Sequence, residues 1–149
     1  MRSLRDIGLA LGIGVLWAVA IELVIGLLVA LHLNHPAGMD ALARGDAATF
    51  VAVILLGDIA IFAIPSLLAG YLITRLMTRP RLFAFVAGTL PFLSGVYSFV
   101  RMVAEGSSGD ALRVYMALNA ILLLVAIPAG VVLIQSSTRW FPGAAPRAD

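Results

Sequence analysis

Two carboxylates stand inside long apolar runs. Glu22 interrupts the stretch from Ile7 to Leu33, and Asp58 interrupts the stretch from Ala47 to Met77. In a bilayer an ionisable side chain costs at least ~2.5–3.5 kcal/mol on insertion scales, so each is a candidate for function by default. The chemistry open to them is the binding of a proton, a cation or a cationic substrate. The alternative is structural: the acids hydrogen-bond across helices, fix packing or meet a partner subunit. Two acids brought close would share a proton and form an exchange site. A guanidinium between them would offset the charge and make the site structural.

Further polar residues sit at a similar depth. Counted inward from the expected outer edge of each apolar run, Glu22 is nine residues from Leu31, Asp58 nine from Thr49, Ser94 nine from Val103 and Asn119 eight from Ala111. At the rise of an α-helix these positions lie ~12–14 Å below the edge, close to the midplane of a ~30 Å hydrocarbon core. Ser94, Ser98, Arg101 and Glu105 follow i, i+4, i+7, i+11 spacing and share one helix face, with Tyr97 beside it. Arg101 could snorkel outward or reach down toward a carboxylate. Tyr115 and Asn119 are an i, i+4 pair. Glu22, Asp58, Ser94, Tyr97, Arg101 and Asn119 form the expected ion or substrate site, with no catalytic set visible and an enzyme not expected. For Ser94, Ser98 and Asn119 interhelical hydrogen bonding is the plainer role, and for Tyr97 and Tyr115 a place in the interfacial aromatic belt.

The elements that must carry these residues are membrane helices. Of 149 residues, 62% are hydrophobic and 12% charged, whereas a soluble domain carries roughly 25% charge. The expected spans are Ile7–Leu31, Thr49–Thr74, Leu82–Val103 and Ala111–Gln135, each with the ~20 apolar residues a crossing requires. Breakers part them at Asn34-His35-Pro36-Ala37-Gly38, Arg79-Pro80-Arg81 and Gly106-Ser107-Ser108-Gly109. Isolated strands could not satisfy their backbone groups in lipid. The fold class is therefore all-α: an integral membrane four-helix bundle forming one domain over residues 1–141, followed by a short tail, 142–149, expected to be disordered.

Arginine placement orients the bundle. Arg2, Arg5, Arg75, Arg79, Arg81, Arg139 and Arg147 fall on one side. Arg44, Arg101 and Arg113 fall on the other, offset by Asp40, Asp46, Glu105 and Asp110. The N- and C-termini are expected to be cytoplasmic in a bacterial inner membrane. Trp17 is too deep for the aromatic belt, while Trp140 and Phe141 suit it.

Several chemistries are excluded or weak. The chain has no Cys, which removes thiol exchange and thiolate metal sites, and no Lys, which removes Schiff-base chemistry. The net charge of +2 lacks a dense basic patch, so nucleic acid is not an expected partner. His32 and His35 have metal-compatible spacing but no third ligand on a rigid element, so neither a metal nor a cofactor is expected. Pro65, Pro91 and Pro128 each free a backbone carbonyl inside a span, which can line a path or simply kink the helix. Small residues at four-residue spacing (Gly8/Gly12, Ser66/Gly70, Ala126/Gly130, and Ala18, Gly26 and Ala30 around Glu22) invite close helix contact, including with a second copy or a partner subunit.

Glu22 in the first span and Ser94-Gly95-Val96 in the third resemble the corresponding positions of small multidrug resistance transporters. That resemblance implies a four-helix transporter with an essential acid at Glu22. Leu93 replaces the Trp those proteins carry, and the longer first loop, Asp58 and Arg75–Arg81 depart from their pattern, so membership is not assigned. Transport or ion coupling is the leading expectation. A non-catalytic accessory subunit or immunity-type protein is the alternative.

Overall fold

The computed structural model describes residues 2–31, 36–106 and 109–137. It contains α1 (Arg2–Ala30), α2 (Pro36–Ala43), α3 (Ala47–Leu76), α4 (Pro80–Ala104) and α5 (Asp110–Ser136), with no strand among the described residues. Four of them, Leu4–Ala30 within α1 together with α3, α4 and α5, are long and apolar enough to cross a membrane. With 25 residues in α4 and 30 in α3, they run ~38–45 Å, longer than the ~30 Å core. They coincide with the expected spans, differing by a few residues at their ends. Expectations resting on His32, His35, Trp140, Phe141 and the tail 142–149 lie outside the described residues.

The short helix α2 was not expected. Pro36 belongs to a breaker by sequence, yet it opens a helix, because a missing N–H costs nothing at the first helical position. Eight residues do not hold a helix in water unaided. Packing supplies the difference: Ala41 is fully buried and Gly38 lies against Ile54 of α3. The junction to α3 is closed locally. Gly45 takes φ +75°, its N–H donates to Leu42 O (3.0 Å), and the Asp46 N–H donates to Ala41 O (2.9 Å), a Schellman ending. Asp46 then caps α3 by accepting the Thr49 N–H at 3.0 Å, and hydrogen bonding from the Thr49 side chain, with this backbone bond, holds its carboxyl below the usual carboxylate range.

The long helices meet through glycines. In lipid there is no hydrophobic gain from burying one apolar helix against another, so association depends on close van der Waals contact. Gly70 of α3 faces Gly130 of α5, where an added Cβ would stand 2.6 Å from the Gly130 carbonyl carbon, and a Cβ on Gly130 would strike the Ser66 carbonyl. These helices run parallel; α4 runs antiparallel to α5, with Gly88 on Leu124 and Arg81 beside Gln135. Gly14 of α1 presses on the Ala87 backbone of α4. Ser66, Gly70, Ala126 and Gly130 are thus used within the chain, whereas Gly8, Gly12 and Gly26 have nothing near them.

Two of the three prolines explain where these contacts fall. Pro91 has no N–H to give the carbonyl of Ala87, and Pro128 none to give that of Leu124. Those are the oxygens on which Gly14 and Gly88 sit. A glycine Cα–H is a weak donor that can approach such an oxygen closely. These carbonyls are therefore covered by neighbouring helices. The core lies among α1, α3, α4 and α5 around Trp17, Phe62, Ile73, Phe83, Ile127 and Val131. The outer surface is apolar: Leu4, Leu16, Leu23, Leu56, Ile64 and Leu68 are each more than 60% exposed, as a lipid-facing surface requires.

Candidate functional site

Asp58 is buried in the α3–α5 interface, 5% exposed. It is eleven residues into α3, and Asn119 is nine residues into α5. Because the two helices run parallel and meet at Gly70–Gly130, the two side chains fall at one level. Asn119 Nδ2 donates to Asp58 Oδ2 at 2.7 Å, and Tyr115 Oη donates to the same oxygen at 2.9 Å. Asn119 Nδ2 also reaches Tyr115 Oη at 3.3 Å. One turn of α5 thus presents two neutral donors to one carboxyl oxygen. The Tyr115 ring is steadied by an edge-on contact with Phe50, centroids 6.3 Å apart.

A carboxyl held in this way can carry or release a proton, or present oxygens to a cation, deep in a helix interface shielded from solvent. Both donors are uncharged, so neither offsets a negative charge on Asp58 in the manner of an ion pair. Short polar bonds at this depth also lock helices together.

The other expected site residues lie elsewhere. Glu22 is exposed on α1. The cause is rotation: α1 docks through Ile13, Trp17 and Ile21, all buried, and Glu22, five residues on from Trp17, is turned ~140° from it. Among the described residues the α1 backbone does not come close to that of α5, and Glu22, exposed, does not join Tyr115 and Asn119. Ser94, Ser98 and Tyr97 are exposed on α4, Tyr97 at 67%. Arg101 bonds Glu105 one turn away, Nε to Oε1 at 2.7 Å, and is exposed. It therefore takes the outward pairing and does not reach down to a carboxylate. Of the four-helix polar layer, the structure brings together the α3 and α5 members.

Two polar features escaped the sequence reading. Trp17 Nε1 donates to Ser66 Oγ at 3.1 Å, with both residues buried, and its ring meets Phe62 edge-on at 5.5 Å. A Trp deep in a span needs an acceptor for its N–H, which was the available clue. Asp6, 2% exposed, pairs with Arg5 at 3.4 Å at the start of α1. No group of three or more His, Asp or Glu that could hold a metal occurs among the described residues. Comparison with protein-family models, curated proteins and solved structures finds no match to this chain.

Proposed function

We propose that the protein is a proton- or cation-coupled membrane transporter or channel-like subunit whose working group is Asp58. The observation that carries this reading is the pair of neutral donors, Tyr115 and Asn119, on Asp58 Oδ2 inside the buried α3–α5 interface. Proton release from Asp58 would strengthen both bonds and proton uptake would weaken them, so the charge state bears directly on how tightly α3 holds α5. Asp58 binds the proton or cation, while Tyr115 and Asn119 sense its charge. The arginine-rich ends support a reading with both termini in the cytoplasm of a bacterial inner membrane.

A second reading is favoured by Glu22. An acid on an exposed face of α1, between open glycines at Gly8, Gly12 and Gly26, suits a partner helix, either a second copy or a different subunit. The protein would then be an accessory or immunity-type membrane subunit, with Asp58 structural.

Carboxyl infrared difference spectra across pH, recorded in lipid with Asp58→Asn and Glu22→Gln as controls, separate the two. A carboxyl band that changes with pH and vanishes in Asp58→Asn, with ion flux lost from proteoliposomes, supports the first reading. An Asp58 that never exchanges a proton, with flux absent from wild type, sinks it and directs attention to Glu22 and a binding partner.

A further inference from the structure

At the end of the bundle where α4 begins and α5 ends, an open cavity of about 410 Å³ is lined by Arg79, Pro80, Arg81, Leu82 and Gln135. Its walls come from three kinds of group. Arg81 Nε donates to Gln135 Oε1 at 3.0 Å, the one hydrogen bond its side chain makes among the described residues. That bond anchors the guanidinium across two helices through Nε alone. The terminal amino groups form the planar fork that suits phosphate oxygens. Arg79 is exposed at the rim. Between them α4 starts at Pro80 with no side-chain cap, so its first-turn N–H groups add positive potential to the same space.

The surroundings point to the source of the anion. Leu82, in the cavity wall, is 54% exposed, which puts the cavity at the boundary between apolar surface and water. The one described acid at this end is Asp6, already joined to Arg5. Arg75 is occupied by Tyr71, with its guanidinium carbon 5.5 Å from the ring centroid. Nothing described at this end neutralises Arg79 and Arg81.

We infer that this cavity binds the phosphate of an anionic phospholipid headgroup, with Arg81 as the fork, Arg79 as the second cation and the start of α4 beneath them. The acyl chains would lie along the apolar surface that begins at Leu82. The site is separate from Asp58 and does not depend on what Asp58 does.

The test is native mass spectrometry of the purified full chain offered phosphatidylglycerol and phosphatidylcholine of identical chains. Wild type is expected to retain phosphatidylglycerol preferentially. At about fivefold per cation near a charged headgroup, Arg79→Gln/Arg81→Gln loses about 30-fold of that preference, while Arg101→Gln at the opposite end keeps it. Should the double variant not fold, Arg81→Lys and Gln135→Ala decide. Both retain the charge but loosen the fork, and each is expected to lower the preference about fivefold, the loss of one hydrogen bond. An unchanged preference in the arginine variants, or an equal loss in Arg101→Gln, overturns the proposal. Displacement of the lipid by millimolar inorganic phosphate overturns the lipid assignment in favour of a soluble phosphate.

Discussion

Removing the Tyr115 hydroxyl tests whether the α3–α5 site carries a charge. Tyr115→Phe deletes the 2.9 Å donor to Asp58 and an acceptor 3.3 Å from Asn119. The ring and its contact with Phe50 remain. A hydrogen bond to an ionised group is worth ~1.5–3 kcal/mol and a neutral one ~0.5–1.5. Interhelical bonds in membranes average ~0.6 kcal/mol and reach ~1.7, because the unfolded chain in lipid also finds partners. With Asp58 ionised, the change should therefore cost ~1.5 kcal/mol, near the upper limit. In an Asp58→Asn background the acceptor is neutral, and the same change should cost ~0.5 kcal/mol. The coupling energy of the cycle is then about 1 kcal/mol. Reversible unfolding in mixed micelles, followed by circular dichroism, measures all four proteins. Coupling within ~0.3 kcal/mol of zero would refute the charged-site reasoning, since sites without interaction add to within that margin.

Other perturbations address the frame around the site. Gly130→Ala places a methyl against the Ser66 carbonyl, a backbone atom that cannot rotate aside, and should lower stability by ~1–3 kcal/mol in the same unfolding assay. Gly26→Ala, with nothing near it, should not destabilise. Trp17→Phe leaves the buried Ser66 hydroxyl without its donor and should cost ~1–2 kcal/mol, whereas pairing it with Ser66→Ala should recover part of that loss. Glu22→Gln should leave the unfolding free energy of the isolated chain within ~0.5 kcal/mol of wild type, because the group is exposed; a larger fall would mean the acid is held within the monomer. At the start of α3, hydrogen bonding from Thr49 gives the Asp46 cap a lowered pKa. Its contribution is complete above the ordinary carboxylate value and disappears as pH falls through the lowered one. The Thr49 amide resonance should follow that loss, and Asp46→Ala should abolish the pH dependence.

Depth was legible in the sequence because a helix advances by a constant rise, so counting from a span edge locates a residue along the membrane normal. That count placed Asp58 and Asn119 at one level, and the structure joins them. It placed Glu22 and Ser94 at the same level too, and both are exposed. Level says nothing of rotation. Rotation is set by which face of each helix finds a surface it can approach, and in lipid that depends on a few glycines meeting particular backbones. Tyr115 shows the same limit: its spacing from Asn119 was visible, but its service to Asp58 required the α3–α5 register.

Hydropathy and breaker positions were enough to establish the four long helices and, within a few residues, their ends, since these depend on chain-local transfer energies and on backbone satisfaction within each segment. Proline positions identified the carbonyls that lose a donor. Only the tertiary structure decided that Gly14 and Gly88 cover two of them, that Ser66 and Gly130 are spent on an internal contact, that α2 forms by packing on α3, and that Arg81 is tied to Gln135. Each of these is a contact between segments far apart in the chain. Its energy is a property of two surfaces brought together, and neither segment carries that information alone.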